Sequence, residues 1–234
     1  MNTMKKLSRT FRFAFVKDLP ITVSYFFVSM AFGLVMQQGG WSWPWAASIS
    51  VFIYTGAFQF VLASFLTSGA SFVTVALTAL FMNSRQVFYG LSYIDDFKKT
   101  GKKYPYMIQT LTDETYALYN SITEYPEDVN KPQAQFYIAL LSHMTWLAGT
   151  IVGNLAGNLI PSNIKGVDFA LTALFITIVI DQWKGTDNHI PALTGAICSI
   201  VFLILLGPDQ FLLPSLILTS GLLMLSRKKE ALHG

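Results

Sequence analysis

The chain has 234 residues, of which 53% are hydrophobic and only 12% are charged, and its mean hydropathy is +0.47. A soluble domain carries about 25% charged residues, so these values exclude an ordinary soluble protein and favour one whose surface faces lipid. At about 20 residues per span, the length suits about seven transmembrane helices. The single cysteine, Cys198, excludes an internal disulfide.

Positive charges cluster beside the apolar segments, which orients such segments with the basic side toward the cytoplasm. No soluble fold is available to carry a basic patch, so nucleic-acid binding is not expected. The apolar run after the first cluster is longer than a signal-peptide core and predicts a retained span. The clusters are Lys5, Lys6, Arg9, Arg12 and Lys17, then Lys98, Lys99, Lys102 and Lys103, then Arg227, Lys228 and Lys229.

The chain-order pattern predicts an all-α, polytopic integral membrane protein. Residues 1–18 form a basic amphipathic segment, 19–226 a single transmembrane transport domain and 227–234 a basic tail. Residues 106–122 have a helical pattern without being strongly apolar, and 124–132 form a polar linker. The hydrophobic segments are predicted at about 19–36, 44–66, 72–94, 136–160, 167–180, 190–206 and 211–225.

The basic clusters conflict with seven simple crossings. Three full crossings would put the loop at 98–103 on the opposite side of the membrane from the basic N-terminus. The positive-inside rule, by which basic loops lie in the cytoplasm, predicts both on the same side. One early element is therefore expected not to cross. The second segment, 44–66, is the candidate, broken near Gly56 into half-helices or a re-entrant pair. The alternative is that 106–122 crosses and the lysine loop is an exception.

Polar residues inside the third segment predict a binding function. An arginine in a bilayer costs at least about 2.5–3.5 kcal/mol unless it is paired or hydrated. Arg85 is expected to face a polar cavity and bind a substrate carboxylate, together with Asn83. Alternatively, Arg85 reaches the interface or forms a permanent pair with an internal acid. Because residues two apart on a helix differ by about 200°, both side chains reach one cavity only if the helix unwinds here.

Acidic residues and one histidine are candidates for the ammonium group of a substrate or for a coupling proton. Asp113 and Glu114 follow Thr112, where they would equally serve as first-turn acids of a helix. Asp168 opens a span in the same way. His143 is a candidate proton carrier or a hydrogen-bonded core residue.

Small residues mark two further features. Gly56 and Gln59 interrupt the second segment, which indicates a broken helix that binds a small ligand, or else close helix packing. Gly149, Gly153 and Gly157 form one helical face that predicts a packing seam, against another span or a partner subunit. The sequence Ala-Leu-Thr-Ala-Leu-Phe occurs at 76–81 and at 170–175, either as an internal repeat or by chance.

An ordered set of short elements resembles the AzlC family of bacterial branched-chain amino acid exporters, over about residues 13–225. Gln86 departs from the histidine of many members, so no proton role is assigned there. The elements are Thr55-Gly56-Ala57-Phe58-Gln59-Phe60, Asn83-Ser84-Arg85-Gln86-Val87-Phe88-Tyr89-Gly90, Leu111-Thr112-Asp113-Glu114-Thr115 and Gly166-Val167-Asp168-Phe169-Ala170.

The resemblance implies the large subunit of a two-component secondary transporter in the bacterial cytoplasmic (inner) membrane. It would export valine, leucine, isoleucine and methionine with a small hydrophobic AzlD-type subunit, and it would need no cofactor or metal. Two alternatives are a membrane-embedded enzyme that uses Asp113, Glu114 and His143, and a structural membrane subunit. No Walker A pattern, metal-ligand pair or nucleophile motif supports the enzyme.

Overall fold

The computed structural model describes residues 2–159, 176, 179–180, 183–207 and 211–233, with side chains described from residue 7 to residue 225 within these ranges. This part of the chain is all-α. Its helices are α1 (Asn2–Gln38), α2 (Trp43–Phe52), α3 (Ala57–Ser68), α4 (Phe72–Lys98), α5 (Tyr104–Gln109), α6 (Asp113–Ser121), α7 (Lys131–Gly157), α8 (Ile190–Leu206) and α9 (Leu212–His233), with a 3₁₀ turn at Gly101–Lys103.

The chain forms two compact units. The first contains Met1–Ser68 and Ser84–Gly166, and the second contains Gly69–Asn83 and Val167–Gly234. In the second unit α8 packs against α9. The first unit holds most of the predicted site residues. The assignment of 19–226 to a single transport domain stays a prediction.

Two long helices, α1 and α7, run parallel and pack against each other at the centre of the first unit. Their stretches Leu7–Gln38 and Lys131–Gly157 are, among the described helices, the two that are long and apolar enough to cross a membrane. From one hydrogen-bonded pair to the next, the residue numbers increase along both helices, so the two helices run in the same direction. The hydrogen-bonded pairs are Thr10 with Asn130, Asp18 with Ser142, Gly33 with Asn154 and Gln37 with Asn158.

Glycines let these two helices approach closely. A Cβ atom built on Gly149 would lie 2.6 Å from the carbonyl oxygen of Phe26, and one built on Gly153 would collide with the backbone of Met30. The predicted glycine face is therefore a seam between two spans of the same chain. The alternative, that it receives a partner subunit, is wrong.

The predicted break in the second segment is confirmed. α2 and α3 are separated at Gly56, whose φ of 59° lies in the left-handed region that side chains with a Cβ rarely adopt. The start of α2 lies at the C-terminal end of α7, where Asn154 donates to the carbonyl oxygen of Trp41 at 2.9 Å. The end of α3 returns there, since Thr67 Oγ1 lies 3.0 Å from a Cβ built on Gly39. The two helices thus form a helical hairpin whose ends lie together, and we call it hairpin A (residues 43–68).

A second helical hairpin comes from the other end of the first unit. The helical pattern at 106–122 is two short helices, α5 and α6, separated at residues 110–112. α5 begins beside the N-terminal part of α7, where Lys103 Nζ lies 3.7 Å from the ring centre of Phe136. α6 returns to the same end, where the Tyr119 hydroxyl donates to the carbonyl oxygen of Gln135 at 2.9 Å. Residues 106–122 therefore do not run from one end of the first unit to the other, and the alternative that they cross is wrong. We call the pair of α5 and α6 hairpin B (residues 104–121).

Ion pairs hold the N-terminal region and the lysine loop at one end of the first unit. Arg9 pairs with Asp128 at 2.6 Å, and Lys131 pairs with Asp96 at 2.6 Å. The Lys131 ammonium also holds the pKa of the Asp96 carboxyl below its ordinary value. The first two basic clusters therefore lie at the same end of the first unit, as the positive-inside rule predicted, because hairpin A returns to the end where it starts.

The remaining elements agree in part with the prediction. Segment 1–18 and the first span form one continuous helix, α1, instead of two elements, and α4 is a regular helix that covers the third segment without unwinding. α7 covers residues 136–157 of the fourth segment, α8 covers 190–206, and α9 covers 212–225 of the last segment. Most of the segment at 167–180, and the second copy of the repeat at 170–175, lie outside the described residues.

Candidate functional site

The tips of the two hairpins meet beside α1 and α7. Gln109, at the end of α5, donates from Nε2 to the carbonyl oxygen of Val51 at 2.8 Å. The buried Tyr25 of α1 joins both tips, because its hydroxyl lies 2.6 Å from Thr112 Oγ1 and its ring packs edge-on against Tyr54, with 6.3 Å between ring centres. We call this region the tip site; it comprises residues 53–59 of hairpin A, residues 109–114 of hairpin B, Tyr25, Arg85, His143 and Trp146.

Arg85 forms an ion pair with an internal acid at this site. Its Nη2 lies 2.5 Å from Asp113 Oδ2, with 44% of the Arg85 side chain and 34% of the Asp113 side chain exposed. The second carboxylate oxygen of Asp113 is buried and has no partner in hydrogen-bonding geometry, although the Tyr89 hydroxyl is close enough to interact with the carboxyl group. The pair is the arrangement that the sequence offered as the alternative to a free arginine. It leaves the guanidinium partly accessible to a second anion.

Glu114 is held by Tyr25. The Tyr25 hydroxyl donates to Glu114 Oε2 at 2.6 Å. Thr112 caps α6, and its side chain and that of Thr115 bond reciprocally to each other's backbone N–H groups. Asp113 and Glu114 are therefore first-turn acids of α6, as the capping pattern predicted, and the same two residues reach the tip site.

Hairpin A contributes two of the predicted residues. Gly56 forms the turn at its tip, and Gln59 lies in the first turn of α3, fully buried. Gln59 Nε2 lies 3.5 Å from Ser50 Oγ, which in turn contacts Thr150 Oγ1 of α7 at 2.9 Å. α3 has no acidic residue in its first turn, so the positive end of its helix dipole is not compensated by a side chain there.

His143 of α7 is fixed by hydrogen bonds on both ring nitrogens. Nε2 lies 3.2 Å from the carbonyl oxygen of Ser50, and Nδ1 lies 3.0 Å from the hydroxyl of Tyr106. A carbonyl only accepts, so Nε2 carries a proton and, in the neutral ring, Nδ1 accepts from Tyr106. The hydrogen bonds of His143 therefore go to hairpins A and B, and not to Asp113 or Glu114. Its proposed proton role stays a prediction.

Buried polar atoms without a hydrogen-bond partner collect at the tip site. Such atoms are costly, at about 1–3 kcal/mol each, unless a ligand or water satisfies them. Half of those found in the described residues belong to this region. They are Tyr54 Oη, Thr55 Oγ1, Gln59 Oε1, Asp113 Oδ1 and Trp146 Nε1.

These unpartnered atoms include both hydrogen-bond donors and acceptors, as the binding of a zwitterion requires. Gln59 Oε1 and Asp113 Oδ1 are acceptors, whereas Trp146 Nε1 is a donor. The hydroxyls of Tyr54 and Thr55 can do either. Aromatic rings surround these atoms, with the Tyr25 and Trp146 ring centres 5.2 Å apart. An ammonium group, a carboxylate group and an apolar side chain could each find a partner here.

Two predicted residues are not brought into the site. Asn83 belongs to the second unit, and because α4 is regular it faces about 200° away from Arg85. Of the two alternatives for this helix, the regular one, in which one of the two side chains faces elsewhere, agrees with the structure, and the unwound one does not. Asp168 lies outside the described residues.

Sequence reasoning missed the aromatic members of the site and one buried acid. Tyr25, Tyr54 and Trp146 are at most 4% exposed, and a hydropathy pattern does not distinguish them from lipid-facing aromatics. Asp18 is fully buried in α1, although it ends the segment 1–18 that was predicted to be basic and amphipathic. Its hydroxyl partners, Thr22 and Ser142, gave no separate signal in the sequence.

Comparison with known proteins places the chain in a family. The AzlC protein family model matches residues 20–160, which run from α1 through both hairpins to the end of α7. The Branched-chain amino acid transport protein AzlC of Bacillus subtilis is 36% identical over 228 residues, covering 97% of this chain and 89% of that protein. A relative from Helicobacter pylori is named Uncharacterized membrane protein. It is 38% identical over 226 residues, which cover 97% of this chain and 99% of that protein.

A more distant relative agrees with these matches. The Inner membrane protein YgaZ of Escherichia coli is 29% identical over 201 residues, covering 82% of each chain. No solved structure matches. Because the family model covers more than half of the sequence and the Bacillus relative matches almost all of it, this chain belongs to the AzlC family of membrane proteins.

Proposed function

We propose that this chain is the large subunit of a two-component secondary transporter that exports branched-chain amino acids across the bacterial cytoplasmic membrane. The Bacillus relative is named a branched-chain amino acid transport protein, and the Escherichia relative is named an inner membrane protein. The substrates are valine, leucine, isoleucine and methionine, and the second component is a small hydrophobic subunit of the AzlD type.

The observation that carries the proposal is the complementary set of unpartnered atoms at the tip site. The substrate carboxylate binds the N-terminus of α3, Trp146 Nε1 and the accessible face of Arg85. The substrate ammonium binds Asp113 Oδ1 and Gln59 Oε1. The aliphatic side chain packs against aromatic rings such as that of Tyr25.

The opposed hairpins support transport over simple binding. Broken helices that meet near the middle of a membrane domain are typical of secondary transporters, because their freed backbone groups bind the substrate and their tips can separate on either side. Opening hairpin A would expose the tip site toward the end of the first unit that holds Trp41. Opening hairpin B would expose it toward the basic end.

Efflux from loaded cells tests the proposal. Cells that express the chain with its small subunit are loaded with valine, leucine, isoleucine or methionine, and the rate of appearance outside is compared with that of cells without the chain. We expect faster efflux of all four, and no change for any of them would refute the substrate class.

A matched pair of variants locates the site. Tyr54→Phe removes an unpartnered buried hydroxyl at the tip site, whereas Tyr125→Phe removes an unpartnered buried hydroxyl in the linker before α7. A hydrogen bond to substrate contributes about 0.5–1.5 kcal/mol, so Tyr54→Phe should reduce transport roughly two- to tenfold. Tyr125→Phe should leave it unchanged. Equal effects of the two substitutions would place the substrate elsewhere.

A further inference from the structure

Asp18 is a buried carboxyl group that the proposed substrate site does not use. It lies in the apolar stretch Leu7–Gln38 of α1 and is fully buried. Ser142 of α7 donates to its Oδ1 at 2.7 Å, and Thr22 donates to its Oδ2 at 2.9 Å. The only partners of this carboxyl group in the described structure are thus two neutral hydroxyls.

No cation of the described residues neutralises Asp18. The ion pairs found there use other acids, at Asp95, Asp96, Asp113 and Asp128. The adjacent Lys17 is exposed and turns toward Phe13, with Nζ 5.8 Å from the ring centre. A carboxylate that is buried without a counter-charge strongly favours acquiring a proton or a cation.

The titratable groups that face Asp18 from the other elements are tyrosines and one histidine. Tyr54 of hairpin A and Tyr119 of α6 lie within electrostatic range of the carboxyl group. On α7, His143 follows Ser142 and makes its own hydrogen bonds to Tyr106 and Ser50. On α1, Tyr25 lies about 10 Å further along the same buried face, at 1.5 Å per residue, and binds Glu114.

We propose that Asp18 is the proton-binding residue that couples a proton gradient to transport through the tip site. The inference rests on the proposed function. A proton arriving at Asp18 forms an O–H bond on one carboxylate oxygen and removes the negative charge. The Ser142 or Thr22 hydroxyl then turns to accept from that O–H, since a hydroxyl both donates and accepts. Loss of the proton restores the two hydrogen bonds now seen.

The parallel seam explains how the two sites communicate. Asp18 is bound to both α1 and α7, and the same two helices carry Tyr25 and Trp146 of the tip site. Charging and discharging Asp18 changes the attraction between α1 and α7, and so changes the packing against which both hairpin tips close. A carboxyl group at a surface ion pair, such as Asp128, could not do this.

Three measurements on the purified complex in lipid vesicles test the proposal. The first is exchange of labelled for unlabelled valine at equal pH. The second is valine movement driven by a pH gradient, with proton flux followed by a trapped pH dye. The third is the infrared band of a protonated carboxyl group, recorded as the difference between acid and neutral pH without substrate.

We expect Asp18→Asn to keep valine exchange within about twofold of wild type while it loses gradient-driven transport, proton flux and one infrared carboxyl band. Asp18→Glu should restore all three in part. The matched control, Asp128→Asn, should behave as wild type. If Asp18→Asn does not fold, the swap of Asp18→Ser with Ser142→Asp keeps the carboxyl group at the seam and should retain proton flux.

Several results would overturn the proposal. One is wild-type proton flux in Asp18→Asn, and another is transport driven by a sodium gradient and not by protons. Equal loss of exchange and proton flux in folded Asp18→Asn would show a purely structural residue. If the wild-type complex exchanges no amino acid but the Asp18-dependent infrared band is present, the proposed function fails and the proton site stands without its coupling role.

Discussion

Gln109 on hairpin B and Val51 on hairpin A form the hydrogen bond that joins the two opposed tips, from the side-chain amide to the backbone carbonyl at 2.8 Å. Val51 lies near the end of α2, where helix carbonyls lack intrahelical partners. The amide of Gln109 therefore satisfies a group that the broken helix leaves open. It also ties together two hairpins that must separate if either one opens.

Gln109→Ala should change the transport rate more than the stability of the fold. The lost hydrogen bond contributes about 0.5–1.5 kcal/mol, which is enough to shift the balance between closed and open tips several-fold. The matched control is Asn120→Ala, which removes an exposed hydrogen bond from the Tyr93 hydroxyl at 2.7 Å. Transport and thermal unfolding should be measured for both. Unchanged transport in Gln109→Ala would show that this bond does not limit hairpin opening.

The two ends of hairpin A should face the same side of the membrane. Cysteines introduced at Ser42 and Ser68, in a Cys198→Ser background, should react alike with an impermeant thiol reagent. Cysteine at Lys102, beside hairpin B, should react from the opposite, cytoplasmic side. All three positions are exposed in the structure. Labelling of Ser42 and Ser68 from opposite sides would contradict the re-entrant path.

Arg85 should matter for transport and little for folding. Its pair with Asp113 is partly exposed, and such pairs contribute only about 0.2–1 kcal/mol to stability. Arg85→Lys keeps the charge but loses the two-pronged carboxylate contact, so transport should fall roughly tenfold or more while the protein remains inserted. Arg85→Ala should abolish transport.

The control for this prediction is Arg9→Lys, at the ion pair with Asp128 near the basic end. It should leave transport unchanged. Normal efflux in Arg85→Ala would end the carboxylate role. Loss of folded protein in Arg85→Lys would instead assign the pair with Asp113 to the fold.

The α1–α7 seam should not tolerate a methyl group. A Cβ on Gly153 collides with the Met30 backbone, so Gly153→Ala should destabilise the protein by about 1–3 kcal/mol. Gly90→Ala is the control, because a Cβ there meets nothing within 4 Å and alanine favours a helix. Thermal unfolding in detergent measures both. Equal melting temperatures would mean that the helices are not this close in the membrane.

The sequence predicted hairpin A because two independent signals coincided. Gly56 interrupts an apolar segment, and the positive-inside rule required one early segment not to cross. Hairpin B gave neither of these signals. Thr112 was recognisable as a helix start, but a stretch of helical pattern continued on both sides of it, and no rule demanded a break.

The roles of individual side chains depended on contacts far apart in the sequence. The Arg85 pair with Asp113 was one of several alternatives, since the sequence offers three candidate acids, Asp113, Glu114 and Asp168, and no distances. Asp18 could not be found at all, because its burial depends on Ser142, which is 124 residues later. Local pattern predicts where helices lie in this chain, and it does not predict which faces meet.

The parallel pairing of α1 with α7 has a consequence for how the protein is made. The polar face of α1 includes the fully buried Asp18 and Ser29. Both are buried against α7, which is synthesised much later. At 5–20 residues per second, the 124 residues between Asp18 and Ser142 take roughly 6 to 25 seconds to synthesise. During that interval the first helix must wait at the site of membrane insertion with a carboxyl group and hydroxyls uncovered. We therefore expect efficient biosynthesis to depend on shielding of this face by the insertion machinery until α7 emerges.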